Sequence, residues 1–245
     1  MKKDNIYKKL KDGPFQFNED VAIVFPDMLE RSIPGYKATI KTIKKLASSH
    51  VKSNTNCYDL GCSLGAATIA MRHGINKKGC KIVAVDKAEA MMNHCKKIIL
   101  EDSQQYLSST SINVVHDDIC NTQIKNASMV VLNFTLQFIE KNKRNSLLKS
   151  IYNGLNKDGL LVLSEKIIDE DQITEKLLVD LHHDHKRQEG YSEIEITRKK
   201  AALKNILIPE TIYEHQERLK KAGFNHSIVW LRYFNFMSII AIKNE

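Results

Sequence analysis

The chain has 245 residues, 42% of them hydrophobic and 27% charged, which suits one large packed domain and excludes a disordered chain. Its formal net charge of +8 favours anionic partners, nucleic acid or a small polycarboxylate, although the lysines are spread along the chain rather than run together. The five cysteines (57, 62, 80, 95 and 120) are odd in number and have no framework or CxxC spacing, which predicts reduced thiols and no metal centre.

Met1 to Asn18 is polar and lysine-rich and lacks the apolar segment of a signal peptide, and no apolar run approaches the ~20 residues that span a membrane. A soluble, cytoplasmic protein is expected. Residues 15–47 read as a helical cap ahead of the core, broken at Ser32–Tyr36 by Pro34 and Gly35. Apolar, β-branched runs then alternate with helical patterns. The runs Asn56–Asp59, Lys81–Asp86, Ile112–His116, Met129–Asn133 and Leu160–Ser164 predict strands covered on both faces, separated by helices near 65–75, 88–102 and 142–155. Such alternation implies right-handed crossovers and a parallel sheet. Residues 169–207 are charged and helix-prone, a helical insertion suited to a lid or a dimer arm. Pro209 is expected to open a helix ending near Gly223, and the close pair Ser227–Tyr233 and Met237–Ile242 predicts an antiparallel hairpin. The expected fold is therefore a single α/β domain over residues 1–245, Rossmann-like, with a mostly parallel seven-stranded sheet ending in a hairpin.

The strand ends carry the chemistry. Asp59-Leu60-Gly61-Cys62-Ser63-Leu64-Gly65 follows the first strand and leads into a helix. Gly61 permits a sharp turn and Gly65 a close helix approach, while Ser63 replaces the middle glycine of the dinucleotide pattern, which disfavours a pyrophosphate. Asp86 ends the second strand about 20 residues beyond the loop, where an acid accepts ribose hydroxyls. Asp118 and Ile119 follow the third strand, where a carboxylate and a backbone group can read adenine, and Asp117 beside them suits a helix cap. Asn133 ends the fourth. Together these point to S-adenosyl-L-methionine (SAM) on a class I methyltransferase fold. The run Asn133-Phe134-Thr135-Leu136 lacks the Asn-Pro-Pro-aromatic of base-amino methyltransferases, and no general base is evident.

Other clusters have plainer readings. Of His182-His183-Asp184-His185, only His182 and His185 share a helix face, too few for zinc. Met91 and Met92 suit core filler, and Arg198-Lys199-Lys200 suits a solvated face or an anchor for an anion.

The runs Arg31-Ser32-Ile33-Pro34-Gly35-Tyr36, Asp59 to Thr68, Asn126 to Phe138, Leu163-Ser164-Glu165-Lys166 and Gly190-Tyr191-Ser192-Glu193 resemble the carboxy-S-adenosyl-L-methionine synthases, from about residue 15 to the end. The resemblance implies that prephenate breaks down to phenylpyruvate and carbon dioxide, that the departing hydroxide takes a proton from the sulfonium-acidified SAM methyl, and that the resulting ylide captures the carbon dioxide. It implies carboxy-SAM as the product, passed to a tRNA carboxymethyltransferase for wobble-uridine modification, and a homodimer that itself binds no nucleic acid. It places Tyr36, Gly61, Cys62, Ser63, Asp86, Lys87, Asp118, Ile119 and Asn133 around SAM. Lys87 stands where the family has Asn. Lys200 stands where the family has an Arg that holds the new carboxylate across the dimer; Lys keeps the charge and loses the bidentate fork. An ordinary SAM-dependent methyltransferase and a catalytically silent SAM- or RNA-binding module are the alternative readings.

Overall fold

The computed structural model describes residues 2–8 and 13–244. Two helices, α1 (Glu19–Ser32) and α2 (Tyr36–His50), precede the alternating core: β1 (Asn56–Leu60), α3 (Ala66–Gly74), β2 (Lys81–Asp86), α4 (Glu89–Gln105), β3 (Ser111–His116), β4 (Ala127–Asn133), α5 (Lys141–Gly154) and β5 (Leu155–Lys166). Helices α6 (Gln172–Gln188), α7 (Glu193–Leu203) and α8 (Ile212–Ala222) lead into the hairpin β6 (His226–Tyr233) and β7 (Phe236–Ile242). The seven strands lie in the order β3-β2-β1-β4-β5-β7-β6, with β1 to β5 parallel and β7 antiparallel to both neighbours. The expected Rossmann-like sheet and its hairpin are both present.

Alternation along the central strands builds two apolar layers. On β4, Val130 and Leu132 pack with Leu161 and Leu163 beneath α5 and α8, whereas Met129 and Val131 pack with Cys57, Ile82 and Val162 beneath α2 and α3. All five cysteines are free thiols, four of them buried. Met91 and Met92 are buried where α4 meets the rest.

Several boundaries differ from the sequence reading for local reasons. The cap begins at Glu19, because Asn18 accepts the Val21 N–H and starts the helix there, and α2 runs on to His50. β5 begins at Leu155, directly after α5, and runs to Lys166 because β7 pairs with it along Leu160–Lys166. The last core helix starts at Ile212, not Pro209, because Thr211 and Glu214 form a capping box. Asp117 accepts the N–H of Asp118 in a turn and caps no helix.

Under the hairpin side lies a buried ionic cluster. Arg144 and Arg218 both bond Glu210; Arg144 also donates to the carbonyls of Ile139 and Ile208, each at 2.9 Å. Burial would raise the Glu210 carboxyl, but the bonds from Arg218 and Arg144 outweigh it and hold the group down at about 2. His215 is buried beside this cluster, and neither ring nitrogen has a hydrogen-bond partner among the described residues. Burial lowers its pKa from 6.5 to about 4. Below pH ~6.5 the unfolded chain therefore takes up a proton that the fold refuses, and stability falls as pH drops towards 4. His215→Leu, which removes the unpaired ring, is expected to flatten the decline in thermal midpoint between pH 6.5 and 4 without lowering it at pH 7, as circular dichroism would show.

Candidate functional site

The carboxyl ends of β1, β2 and β4 and the loop after β3 open into one cavity of about 700 Å³, covered by α1, α2, α6 and α7. The loop after β1 shapes its floor. The N–H groups of Gly61 and Cys62 donate to the Val85 carbonyl at 2.8 and 3.0 Å, tying the loop to β2. Gly61 has φ +80°, and a Cβ there would lie 2.3 Å from Thr135 Cγ2, so only glycine lets this loop meet the one after β4. A Cβ on Gly65 would lie 2.9 Å from Cys95 Sγ, so the close approach at this glycine is to α4 rather than between its own helix and the strand.

Asp86 braces the floor. One carboxylate oxygen accepts the Ser63 N–H at 2.8 Å and the other the Ala88 N–H at 2.9 Å, joining the loop to the start of α4. Ser63 has φ +50°, and its hydroxyl is buried without a partner among the described residues; so is Asn133 Oδ1. Two polar atoms shut off from solvent and unmatched by protein, in the wall of a cavity, fit a polar ligand. Beneath them Asp59 accepts from Thr68 Oγ1 at 2.6 Å, and burial raises its carboxyl to about 6. The Asp118 carboxyl accepts the Cys120 N–H at 2.9 Å, which, with Lys87 and Lys143, holds it below the usual range. Ile119 is buried beside it. Burial raises the Tyr36 hydroxyl, and the hydrogen bond with Cys95 together with burial raises the Cys62 thiol, so both stay neutral near pH 7.

Every site residue expected from the sequence lines this cavity except Lys200, which is exposed and outside the wall built by its own chain. Lys87 is exposed at the rim; its carbonyl faces His116 Nε2 at 3.0 Å. Phe134, directly after β4, takes a left-handed backbone (φ +60°) and donates its N–H to the Ser164 carbonyl at 2.7 Å. Its ring stands between Tyr36 and Phe236, with centroids 6.3 and 6.1 Å away.

The inserted helices contribute what the sequence reading passed over. Of the two readings of Arg198-Lys199-Lys200, the solvated face holds for Lys200 alone, which is exposed. Arg198 bonds the carbonyls of Tyr7 and Lys8, away from the cavity, while Lys199 is buried in its wall and donates to Ser32 Oγ at 2.9 Å. Lys166 and Lys186 line the same wall. His182 faces the Ser32 carbonyl through Nε2 at 2.9 Å and packs its ring on Phe236. Burial, with Lys186 and Lys166 nearby, pushes its pKa down to about 2, so it is a neutral wall residue. No group of three or more metal-ligating side chains occurs among the described residues. The signal that was available is spacing: Ile196, Lys199 and Ala202 share one face of α7, and His182 and Lys186 one face of α6.

Residues 58–159 match the family model for a methyltransferase domain. Over 245 residues the chain is 53% identical to the carboxy-S-adenosyl-L-methionine synthase of Psychromonas ingrahamii, covering 99% of each, and over 233 residues 51% identical to that of Vibrio parahaemolyticus, covering 95% of this chain and 94% of the relative. Among solved structures, human N-acetylserotonin methyltransferase in complex with SAM superposes with a TM-score of 0.59 at 16% identity; the match covers 91% of this chain but 55% of that longer one, a likeness of fold alone. With half its residues shared end to end and the cofactor-loop geometry in place, the chain belongs to the carboxy-S-adenosyl-L-methionine synthase family.

Proposed function

We propose that the protein converts SAM and prephenate to carboxy-SAM and phenylpyruvate, in the cytoplasm, and so supplies the carboxymethyl donor for wobble-uridine modification of tRNA by a separate carboxymethyltransferase. The observation that carries the reading is the convergence of four strand-end sites on one cavity in which Ser63 Oγ and Asn133 Oδ1 have no partner among the described residues. In this reading Asp86 accepts the ribose hydroxyls, Asp118 and the Ile119 backbone hold adenine, and Gly61, Cys62, Ser63, Lys87, Asn133 and Tyr36 border the rest of SAM. The sulfonium of bound SAM supplies the acidity of its methyl group. The chain supplies placement and dryness: the rings of Tyr36, Phe134 and Phe236 wall the site against water.

A homodimer belongs to the same reading. Ile173, Leu177 and Leu181 are exposed at four-residue intervals on α6, an apolar stripe on the inserted segment. A partner seated there would cover it and could bring in Lys200 to meet the product's carboxylate.

Incubation with SAM and prephenate followed by mass spectrometry is expected to give a SAM derivative one carboxyl group heavier. Formation of demethylated SAM alone would favour an ordinary methyltransferase and sink the proposal. Asn133→Ala should weaken SAM binding about tenfold. It should leave the thermal midpoint of the free protein unchanged, because Oδ1 has no partner among the described residues; calorimetry and a melting curve read the two effects. Leu177→Glu is expected to halve the mass seen by analytical ultracentrifugation, and an unchanged mass would remove α6 from the interface.

A further inference from the structure

Beside β5, at the end of the cavity remote from Asp118, three ammonium groups converge. Lys166 ends β5, Lys186 lies on α6 and Lys199 on α7, and all three line the wall. β5 is four strands from β3 in the sheet, so this end is opposite the adenine end. Among the described residues, neither the Lys166 nor the Lys186 ammonium has a hydrogen bond or ion pair. Lys199 has Ser32 Oγ at 2.9 Å and the Tyr191 ring centroid at 5.7 Å. The acids whose charge reaches the cluster are engaged elsewhere. Asp4 accepts from the Tyr191 hydroxyl at 2.7 Å, Asp27 pairs with Arg31 at 3.2 Å, and Glu175 accepts the Asp169 N–H at 2.8 Å. His182 between them is neutral, and exposed Lys200 adds further positive charge. Burial lowers all three lysines, Lys199 to about 8, and nearby cations add to it: Lys200 on Lys166, Lys199 and Lys166 on Lys186, and Arg31 and Lys166 on Lys199.

We propose that Lys166, Lys186 and Lys199 form the anion subsite for the second substrate, a small dicarboxylate with an apolar ring body. This rests on the two-substrate reading above and names the residues that select the partner of SAM. Like charges gathered in a covered wall, with no carboxylate paired directly to Lys166, Lys186 or Lys199 among the described residues, are costly, and a ligand carrying two carboxylates offsets that cost better than one carrying a single carboxylate. SAM's own carboxylate does not fit the role, since it comes with an α-ammonium and a sulfonium that three lysines would repel. Tyr36, Phe134 and Phe236 stand in the same cavity and offer aromatic surface for the apolar body. Lys199 is set by Ser32, whose carbonyl also faces His182, so the break between α1 and α2 positions the subsite from below.

The test uses Lys166→Met, Lys186→Met and Lys199→Met in the full chain, with Lys199→Arg as the conservative variant and exposed Lys221→Met as control. Each Met variant is expected to raise the KM for prephenate about tenfold or more. SAM affinity should stay within about twofold of the parent, and the ligand-free melting temperature should hold or rise as repulsion is relieved. Lys199→Arg should recover part of the loss. Malonate, a dicarboxylate without the ring, should raise the melting temperature of the parent and the control but not of the Met variants. An unchanged KM in all three, or a loss of SAM affinity equal to the loss for prephenate, overturns the subsite. If the parent fails to turn over prephenate, the reaction reading falls; the malonate shift then decides the subsite, a shift confined to chains with all three lysines supporting it and an equal shift in every chain overturning it.

Discussion

The cavity depends on how closely the loops after β1 and β4 approach each other. The two strands are neighbours, yet the chain leaves them towards opposite sides of the sheet, β1 to β2 and β4 to β5. That reversal is where open α/β sheets bind ligands. Here the gap is so narrow that a methyl group on Gly61 would strike Thr135 at 2.3 Å. The contact brings the polar loop Gly61–Ser63 level with Asn133, and Asp86 locks the arrangement by holding Ser63 and Ala88 together. Loosening any one of these contacts would move the others.

Charge is distributed across the sheet with the same order. Asp59, Asp86 and Asp118 lie at β1, β2 and beyond β3, whereas Lys166, Lys186 and Lys199 lie at β5 and on the helices that cover it. Where the two halves meet, Glu165 accepts the N–H groups of Leu136 and Gln137, each at 2.9 Å, and burial raises its carboxyl to about 8. Glu165 thus spends both oxygens on the turn after β4. The acids whose charge does reach the lysines, Asp4, Asp27 and Glu175, lie off the sheet and are bonded to other partners.

Much of this was legible in the sequence because it depends on short-range rules. Strand ends, the Gly61 and Gly65 turns, and Asp86, Asp118 and Asn133 follow from period, spacing and glycine geometry, and the structure gathers them in one place. The inserted helices were less legible. Arg198-Lys199-Lys200 is a run of three cations, and nothing local says that Arg198 turns to the N-terminal segment, Lys199 inward and Lys200 outward. Which face of α7 is covered depends on α1 and on Tyr191, both distant in sequence from the cavity's glycine loop. The start of α8 failed for a different reason: Pro209 suggested a beginning, but the reciprocal bonds of Thr211 and Glu214 decided it.

Phe134 carries a conflict between its backbone and its side chain. A φ of +60° suits glycine or asparagine, and an aromatic residue adopts it at a cost of about 1–3 kcal/mol. Glycine at this position would relax the chain and leave a hole between Tyr36 and Phe236; asparagine would keep the turn and bring water-seeking atoms to a dry wall. No ordinary residue satisfies both demands, so the position works as a compromise in which local comfort is given up for a ring. Variation there should follow the aromatic demand and tolerate the strain.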